Sequence, residues 1–242
     1  MERPGQETEN NVLRAILFDF NGVILDDEDL HYEAFRKVFE EEGVRITRDA
    51  YYRYCLGFND VECIRWGLAE SGKTDRAADV EKLARRKSVY YDALIGHEIR
   101  FFPGVCDFIR AAAAKYPLAV ASMALRREID FALGRAGLSD LFPVIVSGED
   151  VERTKPDPEA YRKTLSRLNR HLSLTNPKNS IRPSECLVIE DSPAGIESAR
   201  AAGMRVLGLA HTEDAARLEG ADRVLPSVEG ISLEEVEALF DS

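Results

Sequence analysis

The chain predicts an α/β fold, a parallel sheet covered by helices on both faces, and three observations predict it. Short apolar runs of strand length recur between helix-patterned stretches, from Val12 to Phe18 through to Met204 to Leu209. Continuous apolar runs mark strands buried on both faces, as parallel strands are. At 242 residues and 45% hydrophobic content, the chain is long enough to bury the core such a sheet needs. Finally, the polar residues able to do chemistry stand at or just after the ends of these runs, where open α/β sheets place their ligands.

Val12 to Phe18 reads as the first strand, interrupted only by Arg14. An acidic stretch follows, Asp26-Asp27-Glu28-Asp29, and from Leu30 to Tyr91 the pattern turns helical. Phe35, Val38 and Phe39 share one face there, and Ile64, Trp66, Leu68, Leu83, Val89 and Tyr90 recur without a strand pattern. This block reads as a helical insertion. Pro103-Gly104 punctuates the return to the sheet. Val105 to Lys115 is an alanine-rich helix, Leu118 to Ala121 a strand, and Arg126 to Ala136 a helix stopped by Gly137. Val144 to Val146 is a strand, and Asp157 to Leu168 a helix opened by Pro156 and Pro158. Asn169 to Pro183 is polar and reads as an extended loop. Cys186 to Ile189 is a strand ending at Glu190-Asp191, Ala194 to Ala202 a helix closed by Gly203, and Met204 to Leu209 a strand. Val224-Leu225 and a helix from Leu233 to Leu239 complete the chain.

Acids outnumber bases 43 to 32, for a net charge of -11, which disfavours a broad nucleic-acid surface. Small anionic substrates stay admissible where a lysine and a metal reverse the local field. The four cysteines form no CxxC pair and read as buried thiols in a reducing compartment. Met1 to Asn11 is polar, without the apolar centre of a signal peptide, and no run approaches a membrane span. The expected location is the cytoplasm, and the expected state a monomer or weak homodimer.

Asp19, Ser122, Lys155, Glu190 and Asp191 each follow or end a strand, so the fold would gather them at one edge. Two adjacent acids ending a buried strand repel each other, and a cation relieves that cost. With Asp19 they offer oxygen ligands suited to Mg²⁺, although Asp191-Ser192-Pro193 is also a helix-cap pattern. An Asp nucleophile at position 19 would split phosphoryl transfer into two easier steps. Lys155 would neutralise charge on the transferring group, or else is a solvated loop lysine. Trp66 and Tyr51, Tyr52 and Tyr54 read as packing, and Arg85-Arg86-Lys87 as a solvated helix face. His97, His171 and His211 are too scattered for a zinc site.

Asp19-Phe20-Asn21-Gly22-Val23, Ser122, Lys155-Pro156-Asp157-Pro158 and Glu190-Asp191-Ser192-Pro193-Ala194-Gly195 together resemble the haloacid dehalogenase superfamily, most of all its beta-phosphoglucomutase-like phosphatases. The resemblance spans Val12 to about Leu239. It implies a Rossmann-like core (12–28 and 99–242) with an all-helical cap (29–98). It implies Asp19 as nucleophile and Lys155 as the neutralising lysine. Ser122, with Met123 beside it, would contact phosphate, and His31 would stand near the catalytic acid. Mg²⁺ would take Asp19, the backbone carbonyl of Asn21 and Asp191, with Glu190 as a ligand or as an acid behind the ligands.

Position 21 departs from the pattern, which has Asp there as general acid and base. An amide cannot transfer that proton, and general acid–base catalysis is worth about 10²–10⁴-fold. Asp26, Asp27, Glu28 and His31 are the nearby candidates for partial compensation. Where mutases carry a distal arginine, this chain has Asn59 and Asp60, with Arg53, Arg65 and Arg126 as possible substitutes. The expected activity is therefore a Mg²⁺-dependent hydrolase of a small phosphorylated metabolite, weakened at Asn21. A sugar-phosphate mutase and a non-catalytic phosphoryl-binding protein are the alternatives.

Overall fold

The computed structural model describes residues 12–55, 58–73, 77–96, 99–174 and 180–241. Six strands, β1 (Ala15–Phe18), β2 (Leu118–Ala121), β3 (Val144–Val146), β4 (Cys186–Glu190), β5 (Arg205–Leu209) and β6 (Arg223–Leu225), form one parallel sheet in the order β3-β2-β1-β4-β5-β6. Every residue of β1, β2 and β4 is buried, which is why these segments read as apolar runs, broken only by Glu190 at the end of β4. Alternate residues serve opposite faces. Ile16, Phe18, Val120, Ile189 and Leu207 pack against α5 (Val105–Ala113) and α6 (Arg126–Ala136). Ala15, Leu17, Ala119, Val188 and Val206 pack against α7 (Glu159–Ser173) and α8 (Pro193–Ala201).

Register sets the working edge. Phe18 lies opposite Val120 on β2 and Ile189 on β4, so Asp19 comes level with the ends of both neighbours. The chain reaches β4 only after β2 and β3 have been laid on the other side of β1. The crevice between β1 and β4 is thus a topological switch point.

Between β1 and α5 lie α1 (Glu28–Glu41), α2 (Arg48–Tyr54), α3 (Asp60–Glu70) and α4 (Ala77–Ile95). They enclose their own apolar cluster, with Phe35, Val38, Phe39, Tyr51, Ile64 and Leu83 buried in it. Asn59 starts α3 with a reciprocal cap: its side chain accepts from Glu62 N at 2.9 Å, and the Glu62 carboxylate accepts from Asn59 N at 3.1 Å. The chain leaves and re-enters the sheet domain side by side, where Asp26 N donates to Arg100 O and Phe102 N to Ile24 O.

Two expectations need correction. Helix α7 runs five residues past Leu168, to Ser173, into the stretch read as loop. Leu168 and Leu172, one turn apart, both pack on the sheet's second face, and that burial outweighs the polar residues between them. Asn169, a loop signal in the sequence, instead brackets Ile181 from within the helix, donating to its carbonyl at 2.9 Å and accepting from its N–H at 2.8 Å. Residues 175–179 of that stretch lie outside the described residues, as do Met1 to Asn11 and His97. The first strand begins at Ala15 rather than Val12, which is exposed.

Candidate active site

Asp19 follows β1 and is tied to the neighbouring strand by its N–H, which donates to Ile189 O at 3.0 Å. Lys155 reaches across from the segment after β3. Its Nζ donates to Asp19 Oδ1 and to Glu190 Oε1, each at 2.6 Å, and to the Tyr161 hydroxyl at 3.1 Å. Tyr161, on α7, donates in turn to Glu190 Oε1 at 2.9 Å. The second oxygen of Glu190 accepts from Asp191 N, Ser192 N and Ser192 Oγ at 2.9–3.0 Å. Both oxygens of Glu190 are therefore engaged within the protein. Asp191 accepts from the Thr212 hydroxyl.

Two glycines make this packing possible. Gly22, at φ +76°, lies so close to Asp191 that a Cβ would overlap its carboxylate. A Cβ at Gly195, at the start of α8, would overlap the Glu190 carboxylate in the same way.

The electrostatics follow from three buried acids around one lysine. Burial pushes the Asp19 carboxyl up to about 7; Lys155 pulls it down and Glu190 pushes it further up. Burial, then the charges of Glu190 and Asp19, hold Asp191 well above the carboxylate range. Burial also works against the charge on Glu190, but Lys155 and the loop N–H donors hold it below its ordinary value. Lys155 is held well above the lysine range because its two carboxylate partners outweigh its burial. One ligand oxygen from each of Asp19, Glu190 and Asp191 can be chosen so that all lie within 4.8 Å of one another. An all-oxygen, surplus-negative set of this kind fits a hard divalent cation. Among the described residues it is the one cluster of this type, and no histidine or cysteine joins it.

Ser122 follows β2 and is buried; its N–H is taken by Val146 O at 3.0 Å, while its Oγ accepts from Ala124 N at 3.1 Å and keeps its own hydrogen to donate. Ser122 and Met123 line, with Asp19, Asn21, His31, Lys155 and Asp191, a cavity of about 570 Å³ that the inserted helices roof over. Glu28, on α1, lines it too; burial raises its carboxyl, which accepts from the Tyr51 hydroxyl. Asn59 and Asp60 lie on its wall, whereas none of Arg53, Arg65 and Arg126 does.

Asn21 opens onto a polar chain running into the inserted helices. Its Nδ2 donates to both oxygens of Asp27 at 3.0 and 2.9 Å. Asp27 also meets His31 Nε2 at 3.1 Å and accepts from the Tyr91 hydroxyl. Lys87 Nζ lies 2.6 Å from His31 Nδ1 and 2.7 Å from Asp60 Oδ1. An ammonium only donates, so Nδ1 is the acceptor and Nε2 carries the hydrogen facing Asp27. His31 stacks on the Tyr91 ring at 4.2 Å between centroids.

Lys87 overturns a sequence expectation. Read as part of a solvated basic run, it is 1% exposed and lies over the Phe35 and Tyr91 rings. Helical spacing carries the signal: Val80, Leu83, Lys87 and Tyr91 form one i, i+3, i+7, i+11 stripe, and all four are buried. Its neighbour Arg86 does face solvent, where it pairs with Glu41 and Glu42. Tyr161 and Thr212 were also missed; neither carries a local motif, and only the fold sets them beside Glu190 and Asp191. Tyr51 packs in the inserted helices as read, and Trp66 stacks on Tyr54 at 5.4 Å. The four cysteines are free thiols.

A buried Asp, a lysine across from it and two acids at the next strand end do not by themselves name a family. The family model for haloacid dehalogenase-like hydrolases matches residues 16–209, which holds every one of these groups. The chain belongs to the haloacid dehalogenase-like hydrolases. It falls in their beta-phosphoglucomutase-like subgroup and is an enzyme by that membership. A phosphorylated carbohydrates phosphatase of Thermotoga maritima is 32% identical over 206 residues, covering 83% of this chain and 87% of the relative. Protein CbbY of Rhodobacter capsulatus is 32% identical over 209 residues, covering 81% and 84%. The crystal structure of CbbY from Rhodobacter sphaeroides with phosphate superposes with a TM-score of 0.77 at 29% identity, covering 90% of this chain and 96% of that one. A beta-phosphoglucomutase from Clostridium difficile superposes at 0.82, covering 95% and 97%; at 24% identity it speaks for the fold of this hydrolase. No helix among the described residues is long and apolar enough to cross a membrane.

Proposed function

We propose that this haloacid dehalogenase-like hydrolase cleaves a small phosphorylated metabolite through an aspartyl-phosphate on Asp19, with Mg²⁺ as cofactor. One observation carries the reading: Asp19 lines a cavity between the sheet edge and the inserted helices, with its carboxylate held by Lys155 and two further acids at hand. Asp19, Asp191 and the backbone carbonyl of Asn21 would hold the ion. Glu190, whose oxygens are already engaged, would act behind them by fixing Lys155 and the 191–192 backbone. The ion would supply positive charge that lets an anionic carboxylate approach an anionic phosphate.

In this reading Asp19 attacks phosphorus, Lys155 and the Ser122 hydroxyl steady the phosphoryl oxygens, and water then releases phosphate from Asp19. Helices α1–α4 form a cap that excludes bulk water and meets the rest of the substrate. The relatives named for phosphorylated carbohydrates, and a mutant CbbY crystallised with xylulose-(1,5)-bisphosphate, support a phosphorylated sugar or similar metabolite as the substrate class. The test is phosphate release from a panel of phosphate esters with Mg²⁺ and with chelator. Release should need the metal and vanish in Asp19→Asn. Turnover that survives Asp19→Asn would end the proposal.

A second reading draws on Asn21 alone. A site without a proton donor at that position suits a phosphoryl-binding protein that does not turn over. Binding of inorganic phosphate with no hydrolysis across the whole panel would favour it.

A further inference from the structure

Asn21 stands where the proposed chemistry calls for a proton donor, and its amide already has a fixed orientation. Both oxygens of Asp27 sit 2.9–3.0 Å from Nδ2. A carboxylate only accepts, so the NH₂ arm faces Asp27 and the carbonyl arm, Oδ1, is turned away from it. Asn21 lines the cavity, whereas Asp27 is 1% exposed and does not. Turning the amide over would press Oδ1 against the carboxylate. Asp27 cannot swing out in place of Asn21, because Asn21, His31 and Tyr91 all hold it. His31 is committed as well: Lys87 donates to Nδ1, and the Nε2 hydrogen goes to Asp27. The two ionisable groups bound nearest Asn21 are thus tied to each other.

The rest of the cavity mixes apolar and polar groups. Phe35, Val61 and Met123 line it beside the polar Asn59, Ser88 and Thr154. Its cations besides Lys155 are Arg85 and Arg127, which pair with Glu81 at 3.6 Å and Asp92 at 3.0 Å.

We infer that this site takes phosphate esters whose leaving oxygen departs unaided as an anion, such as an enol, phenol or anomeric sugar oxygen. Asp27 is the positioning residue that turns the Asn21 carbonyl, an acceptor, toward the reacting oxygen. The inference rests on Asp19 as nucleophile. The bond from Asp19 to phosphorus forms as the bond from phosphorus to the leaving oxygen breaks, and the electron pair stays on that oxygen with no proton from the protein. Water then attacks phosphorus while donating a hydrogen bond to Asn21 Oδ1. The Asp19 carboxylate is restored, and both water hydrogens end on the released dihydrogen phosphate.

The test is kcat/KM with Mg²⁺ for phenyl phosphates of graded phenol acidity and for glycerol phosphate, in the native protein, Asn21→Asp and Asp27→Ser. In the native protein, glycerol phosphate should react at least about 100-fold more slowly than nitrophenyl phosphate, the scale of a missing general acid. Asn21→Asp should raise the ratio of glycerol-ester to nitrophenyl-ester kcat/KM about tenfold or more, since only a poor leaving group needs the acid. Asp27→Ser frees the Asn21 amide to present its NH₂, so the dependence on phenol acidity should become shallower. Should Asp27→Ser fail to fold, Asn21→Asp decides alone. An Asp19-dependent native enzyme that handles both esters within about tenfold overturns the inference and leaves the proposed function standing. A folded Asp27→Ser with an unchanged slope overturns the positioning role. Nitrophenyl phosphate turnover that is absent, or that persists in Asp19→Asn, overturns both readings together.

Discussion

Replacing the nucleophile should stabilise the metal-free protein. In the folded state burial lifts Asp19 from 3.8 to about 7, even with Lys155 2.6 Å away. Between those two values the folded protein holds a proton that the unfolded chain has lost. Stability therefore falls as pH rises through that window, and is lowest above it. A rise of about three pH units at about 1.36 kcal/mol each is about 4 kcal/mol as an upper bound, and about 2–4 kcal/mol after solvent relaxation. Asn is nearly isosteric with the protonated acid. Asp19→Asn should then match the native protein below about pH 4 and exceed it at pH 8 by about 5–10 °C in melting temperature. The assay is thermal unfolding in chelator from pH 5 to 8, followed by circular dichroism. The native protein should lose stability across that range, and the variant should stay nearly level. Adding Mg²⁺ at pH 8 should recover the loss in the native protein, by about 2.7 kcal/mol at a hundred times the dissociation constant. A variant that melts at or below the native temperature at pH 8, or that keeps the native slope, would refute the argument that Asp19 is forced into a site short of positive charge.

Removing the cation should act in the opposite direction. Lys155→Met leaves Asp19 and Glu190 buried without a partner, so unfolding in urea should show a loss of about 3–5 kcal/mol at neutral pH, with phosphate release abolished. Gly195→Ala drives a methyl group into the Glu190 carboxylate; activity should collapse and the melting temperature fall, whereas alanine at Gly137, φ +64° with no atom within 4 Å of its would-be Cβ, should lower only the melting temperature, through backbone strain. Lys87→Met strips the donor from His31 Nδ1 and leaves Asp60 unpaired, at about 1–3 kcal/mol, read by urea unfolding. Asp150, held at about 2 by its hydrogen bond to Arg167, adds stability above its ordinary value of 3.8 that is lost as pH falls toward 2; the gap in melting temperature between the native protein and Asp150→Asn should close over that interval.

Much of this was legible before any coordinate. The β1 run and the first four residues of β4 named themselves because burial on both faces favours apolar side chains, and the ends of those runs located Asp19, Glu190 and Asp191. Where the reading erred, competing forces met in one segment. Asn169 carries a loop preference, yet Leu168 and Leu172 gain more by burial, and the helix continues. Lys87 sits in a basic run, yet its helical phase puts it on the buried stripe.

The order of residues determined the parallel α/β architecture, the strand-end acids and the unusual amide at position 21, since each is written within a window of a few residues. It could not say where that amide points. Only the folded chain places Asp27 against Asn21, Lys87 against His31 and Tyr161 against Glu190. Hydrogen-bond direction depends on which donors and acceptors face one another across elements far apart in sequence, and that is settled by packing.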